Sequence, residues 1–73
     1  MSKCKINNQI RRLRFEHNEM TQQALATEVG VTRQTILAIE AGRYSPSLEV
    51  AFKIANTFKQ PLEAVFQYEP EST

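Results

Sequence analysis

The sequence predicts an all-α fold of five short helices. Apolar residues recur at helical spacing in five segments of the 73-residue chain, and capping residues or glycines separate these segments. The chain has only two glycines and three prolines, so few positions interrupt the helical pattern. The length leaves no room for a second domain. We therefore expect one domain over residues 1–73, with a core over residues 7–68 and a flexible tail over residues 69–73.

The first helix is predicted by its apolar face, and the start of the second is predicted by a capping residue. Ile10, Leu13 and His17 share one face at helical spacing, which predicts a helix from about residue 7 to residue 17. Thr21 can cap the second helix, because its hydroxyl can accept a hydrogen bond from a backbone N–H of the first turn.

The third helix follows the second after a very short connection. Gly30 is expected to end the second helix, since glycine adopts a positive φ at little cost. Thr32 is expected to cap the third helix, and Ile36 and Ile39 lie on one side of it as i, i+3 neighbours. Gly42 marks its end. The sequence therefore predicts two helices joined by a turn of about three residues.

The remaining segments predict two more helices and two short strands. Ser47 is expected to cap a fourth helix. The apolar stripe of that helix consists of Leu48, Ala51, Ile54, Ala55 and Phe58. Pro61 suits the first turn of a short fifth helix. The inward residues of the fifth helix are expected to be Leu62, Val65 and Phe66. Residues 4–6 and 66–68 are candidates for the strands.

The short turn around Gly30 is the feature that indicates a function. So short a link holds two helices at a large angle, as in a helix-turn-helix, and leaves one face of the third helix outside the core. The side chains expected on that face are Thr32, Arg33, Gln34, Leu37 and Ala38. Arginine can donate two hydrogen bonds to guanine, glutamine can pair with adenine, and leucine or alanine can touch thymine methyl groups. On this pattern alone, an ordinary solvated helix face is an equally good interpretation.

Three runs of residues carry a family resemblance. They are residues 21–26 (TQQALA), residues 29–36 (VGVTRQTI) and residues 39–48 (IEAGRYSPSL). Together with residues 51–55 and 62–66, they closely resemble the Cro/phage-repressor (Xre-type) helix-turn-helix family, over about residues 7–68. The connection between Arg14 and Gln22 is one residue longer than is usual in that family.

The resemblance implies a lambda-repressor-like domain that binds double-stranded DNA and acts as a short stand-alone transcriptional regulator. The residues implied in base readout are Thr32, Arg33, Gln34, Leu37 and Ala38. The residues implied in contacts with the DNA backbone are Gln22, Thr35, Arg43 and Tyr44. Gln22 is also implied to brace the third helix. Arg14 and Glu40 correspond to a buried pair that joins the first and third helices.

In short members of this family, the fifth helix and a C-terminal strand build a homodimer. The dimer interface implied here consists of Leu62, Val65, Phe66 and Tyr68. Phe66 and Tyr68 could instead belong to the core of the monomer. A dimer would place two recognition helices about 34 Å apart, so that a palindromic operator is read twice. The implied function is regulation, most simply repression, of transcription in the cytoplasm.

Composition limits the other classes of function. The single cysteine, Cys4, excludes an intrachain disulfide, and together with the single histidine, His17, it offers too few ligands for a zinc site. No apolar run reaches the roughly 20 residues of a membrane-spanning helix. No paired carboxylates or nucleophile–base set predicts an enzyme. We therefore expect no catalysis, no cofactor, no metal and no membrane partner.

Two other functions stay open from the sequence. The net charge of +1 also suits a helical interaction module that no longer binds DNA. Alternatively, the acidic segment from Glu69 could bind a toxin, as in the DNA-binding antitoxin of a toxin–antitoxin pair. Because no ligand pocket is expected in so small a domain, an unidentified regulatory protein is a further expected partner.

Overall fold

A computed structural model describes residues 6–68, in which five helices lie between two short strands. The elements are β1 (Ile6–Asn8), α1 (Ile10–Glu16), α2 (Gln22–Val29), α3 (Arg33–Glu40), α4 (Leu48–Thr57), α5 (Leu62–Val65) and β2 (Phe66–Tyr68). The predicted five-helix fold is confirmed, and it carries a small two-stranded sheet. No helix in residues 6–68 has the length and apolar character needed to cross a bilayer. Cys4 and the predicted tail lie outside the described residues.

Local capping chemistry determines where most of the helices begin and end. The hydroxyls of Thr21, Thr32 and Ser47 each accept a hydrogen bond from the backbone N–H three residues further along, at 2.9, 3.1 and 3.2 Å. Gly30 and Gly42 follow α2 and α3 with φ values of 81° and 76°. These are left-handed conformations that residues with a side chain adopt only at a cost. The predicted caps and stops are confirmed.

The first helix is shorter than predicted. It begins at Ile10 and not at residue 7, because residues 6–8 form β1, which pairs antiparallel with β2 so that Ile6 lies opposite Tyr68. Asn8 ends the strand: its Oδ1 accepts a hydrogen bond from the N–H of Ile10 at 3.1 Å, and its Nδ2 donates to the carbonyl of Ile39 at 3.0 Å. Both bonds hold Asn8 outside the helix.

The core contains side chains from every helix. Its fully buried large members are Ile10, Leu25, Ile36, Ile39, Ile54 and Val65. Leu48, which the sequence analysis placed on the apolar stripe of α4, lies outside this core: its side chain is 67% exposed in the first turn of α4 and borders an open groove. Pro61 has extended ψ (156°) and precedes α5 instead of lying in its first turn. Phe66 follows α5 in β2 and is half-buried.

The long connection between α1 and α2 is closed by backbone geometry and by one arginine. Asn18 and Glu19 have φ values of 59° and 53°, which let the chain reverse within a few residues. The N–H of Met20 donates to the carbonyl of Arg14 at 2.8 Å. In return, Arg14 Nη1 donates to the carbonyl of Met20, also at 2.8 Å. The additional residue is therefore accommodated without moving Arg14 away from the neighbouring helices.

Candidate nucleic-acid interface

The turn between α2 and α3 sets the geometry of the candidate site. The N–H groups of Gly30 and Val31 both donate to the carbonyl of Ala26, at 2.8 and 3.0 Å. Thr32 then has extended backbone (φ −84°, ψ 160°) and caps α3 directly. Because only residues 30–32 connect the two helices, α3 is held at a large angle to α2.

Two isoleucines divide α3 into a buried and an exposed side. Ile36 and Ile39 are 0% and 2% exposed and belong to the hydrophobic core, as predicted. Arg33 and Gln34, in the first turn, lie exposed to solvent. Leu37 is 39% exposed one turn later. The polar residues at the start of α3 are therefore presented outward by an apolar anchor on the opposite side.

The polar groups of this exposed side differ in their freedom to bind a partner. Within residues 6–68, the side chains of Arg33 and Gln34 have no hydrogen bond or ion pair. The Thr32 hydroxyl, by contrast, caps the helix and lies 3.0 Å from the hydroxyl of Thr35, which is half-buried. Ala38 is also half-buried, which leaves part of its methyl surface accessible. Arg33 and Gln34 are thus the most available polar groups of α3.

A polar network joins α3 to the two preceding helices. Arg14 Nε and Nη2 donate to Oε2 and Oε1 of Glu40 at 2.5 and 3.2 Å, and the two side chains are only 16% and 10% exposed. Gln22 Nε2 donates to Oε1 of Glu40 at 3.2 Å. The Arg14–Glu40 pair is therefore present, and Gln22 braces the end of α3. The amide of Gln22 retains a second N–H and its carbonyl oxygen for other partners.

The loop after α3 carries two further exposed side chains. The N–H of Arg43 donates to the carbonyl of Ala38 at 3.0 Å and closes the helix. The side chain of Arg43 is exposed and has no ion pair within the described part of the chain. Tyr44, which follows, is 52% exposed. Both residues precede the Ser47 cap of α4, so a cation and a phenol ring follow the exposed side of α3 closely in the chain.

Comparison with known proteins identifies this arrangement. A family model described as helix-turn-helix matches residues 10–65. The chain belongs to the Cro/phage-repressor type of helix-turn-helix proteins. An uncharacterized HTH-type transcriptional regulator of Methanocaldococcus jannaschii is 48% identical over 66 residues, which are 90% of this chain and 98% of that relative.

A phage protein and a solved structure extend the comparison. The cryptic phage CTXphi transcriptional repressor RstR of Vibrio cholerae is 38% identical over 57 residues, which are 78% of this chain and half of RstR. The crystal structure of a Bacteroides fragilis protein matches with a TM-score of 0.72 and 21% identity, covering 85% of this chain and 98% of the other. This last likeness shows the fold.

The residues predicted for a dimer interface separate into buried and exposed members in this helix-turn-helix protein. Val65 is 0% exposed, so its side chain belongs to the core of the monomer and offers no surface to a second subunit. Leu62 and Phe66 are half-buried, and Tyr68 is 69% exposed. The prediction for Val65 is therefore corrected, because α5 turns this residue inward toward the other helices.

A groove beside α5 was not predicted from the sequence. Its volume is about 180 Å³, and its lining residues are Ile6, Pro46, Leu48, Ala51, Leu62 and Phe66. Phe52 lies one turn after Leu48 on α4 and is 54% exposed. The helical spacing of Leu48 and Phe52 could have indicated a second apolar stripe on α4, separate from the core stripe. The exposed Leu48 and Phe52 of α4 and the half-buried Leu62 and Phe66 are here called the α4–α5 surface.

Proposed function

We propose that this helix-turn-helix protein is a sequence-specific, dimeric repressor of transcription that reads a palindromic operator through the DNA major groove. The observation that carries the proposal is the exposure of Arg33 and Gln34 in the first turn of α3, where neither side chain has a hydrogen bond within residues 6–68. In this motif, the N-terminal residues of the second helix contact base edges. Arg33 would donate to O6 and N7 of guanine, and Gln34 would pair with adenine.

The apolar and small residues of α3 support the same docking. Leu37 is exposed enough to contact a thymine methyl group, and Ala38 presents part of its methyl group in the following position. Thr32, which is exposed, adds a hydroxyl at the very start of the helix. These contacts would refine a site that Arg33 and Gln34 specify.

Contacts with phosphates would fix the position of α3 in the groove. Gln22 lies in the first turn of α2, where backbone N–H groups and the helix dipole favour an anion. Arg43 and Tyr44, exposed after α3, supply a guanidinium and a hydroxyl, and Thr35 adds a further hydroxyl. Because each neutralised phosphate releases counterions, affinity is expected to fall steeply with salt although the net charge is only +1.

The α4–α5 surface supplies the proposed dimer contact. Leu48, Phe52 and Tyr68 are each more than half exposed, and Leu48 lines the groove beside α5 together with Leu62 and Phe66. Burial of such a surface between two copies would stabilise a small domain whose own core is limited. A two-fold axis at this surface would pair two recognition helices on one palindrome.

Repression is the regulatory sign that the comparisons support best. RstR is named as a transcriptional repressor, and the M. jannaschii relative is named as a regulator without a stated sign. A domain bound in the major groove over a promoter blocks access by other proteins. We therefore propose occlusion of a promoter as the mechanism.

Selection from random DNA duplexes, followed by footprinting, tests this function. We expect enrichment of a palindrome whose half-sites lie about 10 base pairs apart, centre to centre. Binding should weaken steeply between low and moderate salt. Enrichment of a single asymmetric half-site would contradict the dimer, and no enrichment at any salt concentration would contradict DNA binding.

A further inference from the structure

The β1–β2 sheet lies against the last turn of α3 and against residues 41–47, here called the α3–α4 loop. Only a crevice of about 10 Å³ remains between them, which is at most enough for one water molecule. Its lining residues are Ile6, Asn8 and Phe66 on the side of the sheet, and Ile39, Gly42, Tyr44, Ser45 and Pro46 on the other side. The loop that carries Arg43 and Tyr44 is therefore in close contact with the sheet.

Asn8 crosses this contact with its side-chain amide. Its Nδ2 donates to the carbonyl of Ile39 at 3.0 Å, and its Oδ1 accepts from the N–H of Ile10 at 3.1 Å. The side chain is half-buried, and in the sheet Asn8 lies opposite Phe66. A single amide group thus connects the sheet, the start of α1 and the last turn of α3.

The carbonyl of Ile39 lies where the chain leaves α3. The last carbonyls of a helix have no partner within the helix, so they need other donors. The Ile39 carbonyl accepts from the N–H of Gly42 at 3.0 Å as well as from Asn8. The next N–H, that of Arg43, donates to the carbonyl of Ala38, also at 3.0 Å. The amide of Asn8 therefore holds the carbonyl around which the α3–α4 loop begins.

We propose that Asn8 is a positioning residue for the DNA-backbone contacts of Arg43 and Tyr44. This inference rests on the proposed function, in which both residues contact phosphates. Asn8 itself does not touch DNA: it fixes the backbone from which the two side chains extend. An arginine side chain already loses rotamer freedom when it binds a phosphate, and a mobile backbone beneath it would add a further entropic cost.

The neighbouring Asn7 provides a matched comparison. It belongs to the same strand, but its side chain is exposed and has no hydrogen bond within residues 6–68. The same substitution at residues 7 and 8 therefore makes the same chemical change in the same strand. Only the change at Asn8 removes a donor from α3.

Amide hydrogen exchange of the full chain tests the positioning role without DNA. Asn8→Asp has the same shape and retains an acceptor for Ile10, but it has no N–H to donate to Ile39. Exchange at Gly42 and Arg43 should become about fivefold faster relative to exchange at Gly30, the factor that one hydrogen bond typically contributes. Gly30 closes α2 through an N–H that donates to Ala26 at 2.8 Å, so its exchange reports any general loss of stability.

Two further variants separate the hydrogen bond from the added charge. Asn7→Asp introduces the same charge and should leave the exchange ratio unchanged. Asn8→Ser is uncharged and also retains an acceptor for Ile10, because serine hydroxyls form the same local turn. It should raise the ratio as Asn8→Asp does, and it replaces that variant should Asn8→Asp not fold. An unchanged ratio in the folded Asn8 variants overturns the proposal.

Binding to the selected operator tests whether Asn8 acts through the loop. Asn8→Ser should lower the affinity about fivefold and leave the base preference intact, since phosphate contacts carry no base information. Asn7→Ser should have no effect. In a chain that carries Arg43→Ala and Tyr44→Phe, Asn8→Ser should cost less than about twofold, because the contacts through which it acts are already gone.

The outcomes distinguish this inference from the proposed function. Equal losses of affinity in the two backgrounds would overturn the action of Asn8 through Arg43 and Tyr44. A wild type without operator binding would contradict the proposed function, and this is seen before any variant is made. The exchange ratio would still decide whether Asn8 fixes the loop.

Discussion

Gln22 Nε2 donates to Glu40 Oε1 at 3.2 Å and thereby ties the first residue of α2 to the last residue of α3. The same carboxylate accepts two hydrogen bonds from Arg14 of α1. One acidic side chain thus holds the two helices of the motif together and secures both to the rest of the domain. These contacts hold the end of α3 opposite to Arg33.

Removal of the carboxylate is expected to destabilise the fold strongly. Glu40→Ala should lower the free energy of unfolding by about 3 kcal/mol, because it leaves the mostly buried Arg14 without its partner. Urea unfolding at one fixed protein concentration measures this change. Glu16→Ala is the matched control, since it breaks the exposed pair with Arg12 and should cost less than about 0.5 kcal/mol. Equal losses of unfolding free energy in the two variants would show that burial of the Arg14–Glu40 pair does not increase its contribution to stability.

Arg33 and Gln22 should affect DNA binding in different ways. Arg33→Ala is expected to weaken binding to the selected operator by about 1–3 kcal/mol and to relax the preference at one base pair of each half-site. Gln22→Ala should weaken binding to all sequences by a similar factor, because a phosphate contact carries no base information. Repeating the duplex selection with each variant separates the two effects. Retention of the full base preference by Arg33→Ala would rule out its assignment to base readout.

Two substitutions distinguish the role of the α4–α5 surface in dimer formation from the role of the core in folding. Leu48→Glu should dissociate the dimer while leaving the helices intact, because Leu48 is 67% exposed in the monomer. Val65→Ala should instead lower the free energy of unfolding by about 2 kcal/mol, because Val65 is fully buried. Sedimentation equilibrium gives the dimer constant, and circular dichroism gives the folded fraction. If the Leu48→Glu protein dimerises as strongly as the wild type, the dimer interface does not include Leu48.

Features encoded by neighbouring residues were predictable from the sequence. Thr21, Thr32 and Ser47 cap helices through hydroxyls that reach an N–H only three residues away. Gly30 and Gly42 end helices through their own backbone freedom. The buried positions of α3 follow from helical spacing alone. The Arg14–Glu40 pair spans 26 residues, so family resemblance indicated it and local pattern did not.

Features that depend on tertiary packing were missed or misplaced. The start of α1 is set by hydrogen bonds of Asn8 to Ile10 and to distant Ile39, and helical spacing gives no sign of the latter. Leu48 and Val65 are both apolar residues at helical positions. Which of them faces the core depends on how α4 and α5 cross. The spacing of residues within one helix does not specify this crossing. The groove beside α5 was missed for the same reason.

Lys59 offers a test of backbone conformation independent of DNA or dimer formation. It follows α4 with φ of 56°, and the N–H groups of Lys59 and Gln60 close the helix by donating to the carbonyls of Asn56 and Ala55, both at 3.0 Å. Lys59→Gly should therefore raise the free energy of unfolding by about 0.5–1 kcal/mol, because relief of the left-handed strain outweighs the additional freedom of glycine in the unfolded chain. The same substitution inside α4, Lys53→Gly, should lower it by about 1 kcal/mol. Thermal unfolding of the two variants should show melting temperatures shifted in opposite directions. A shift of the same sign in both would mean that the end of α4 carries no such strain.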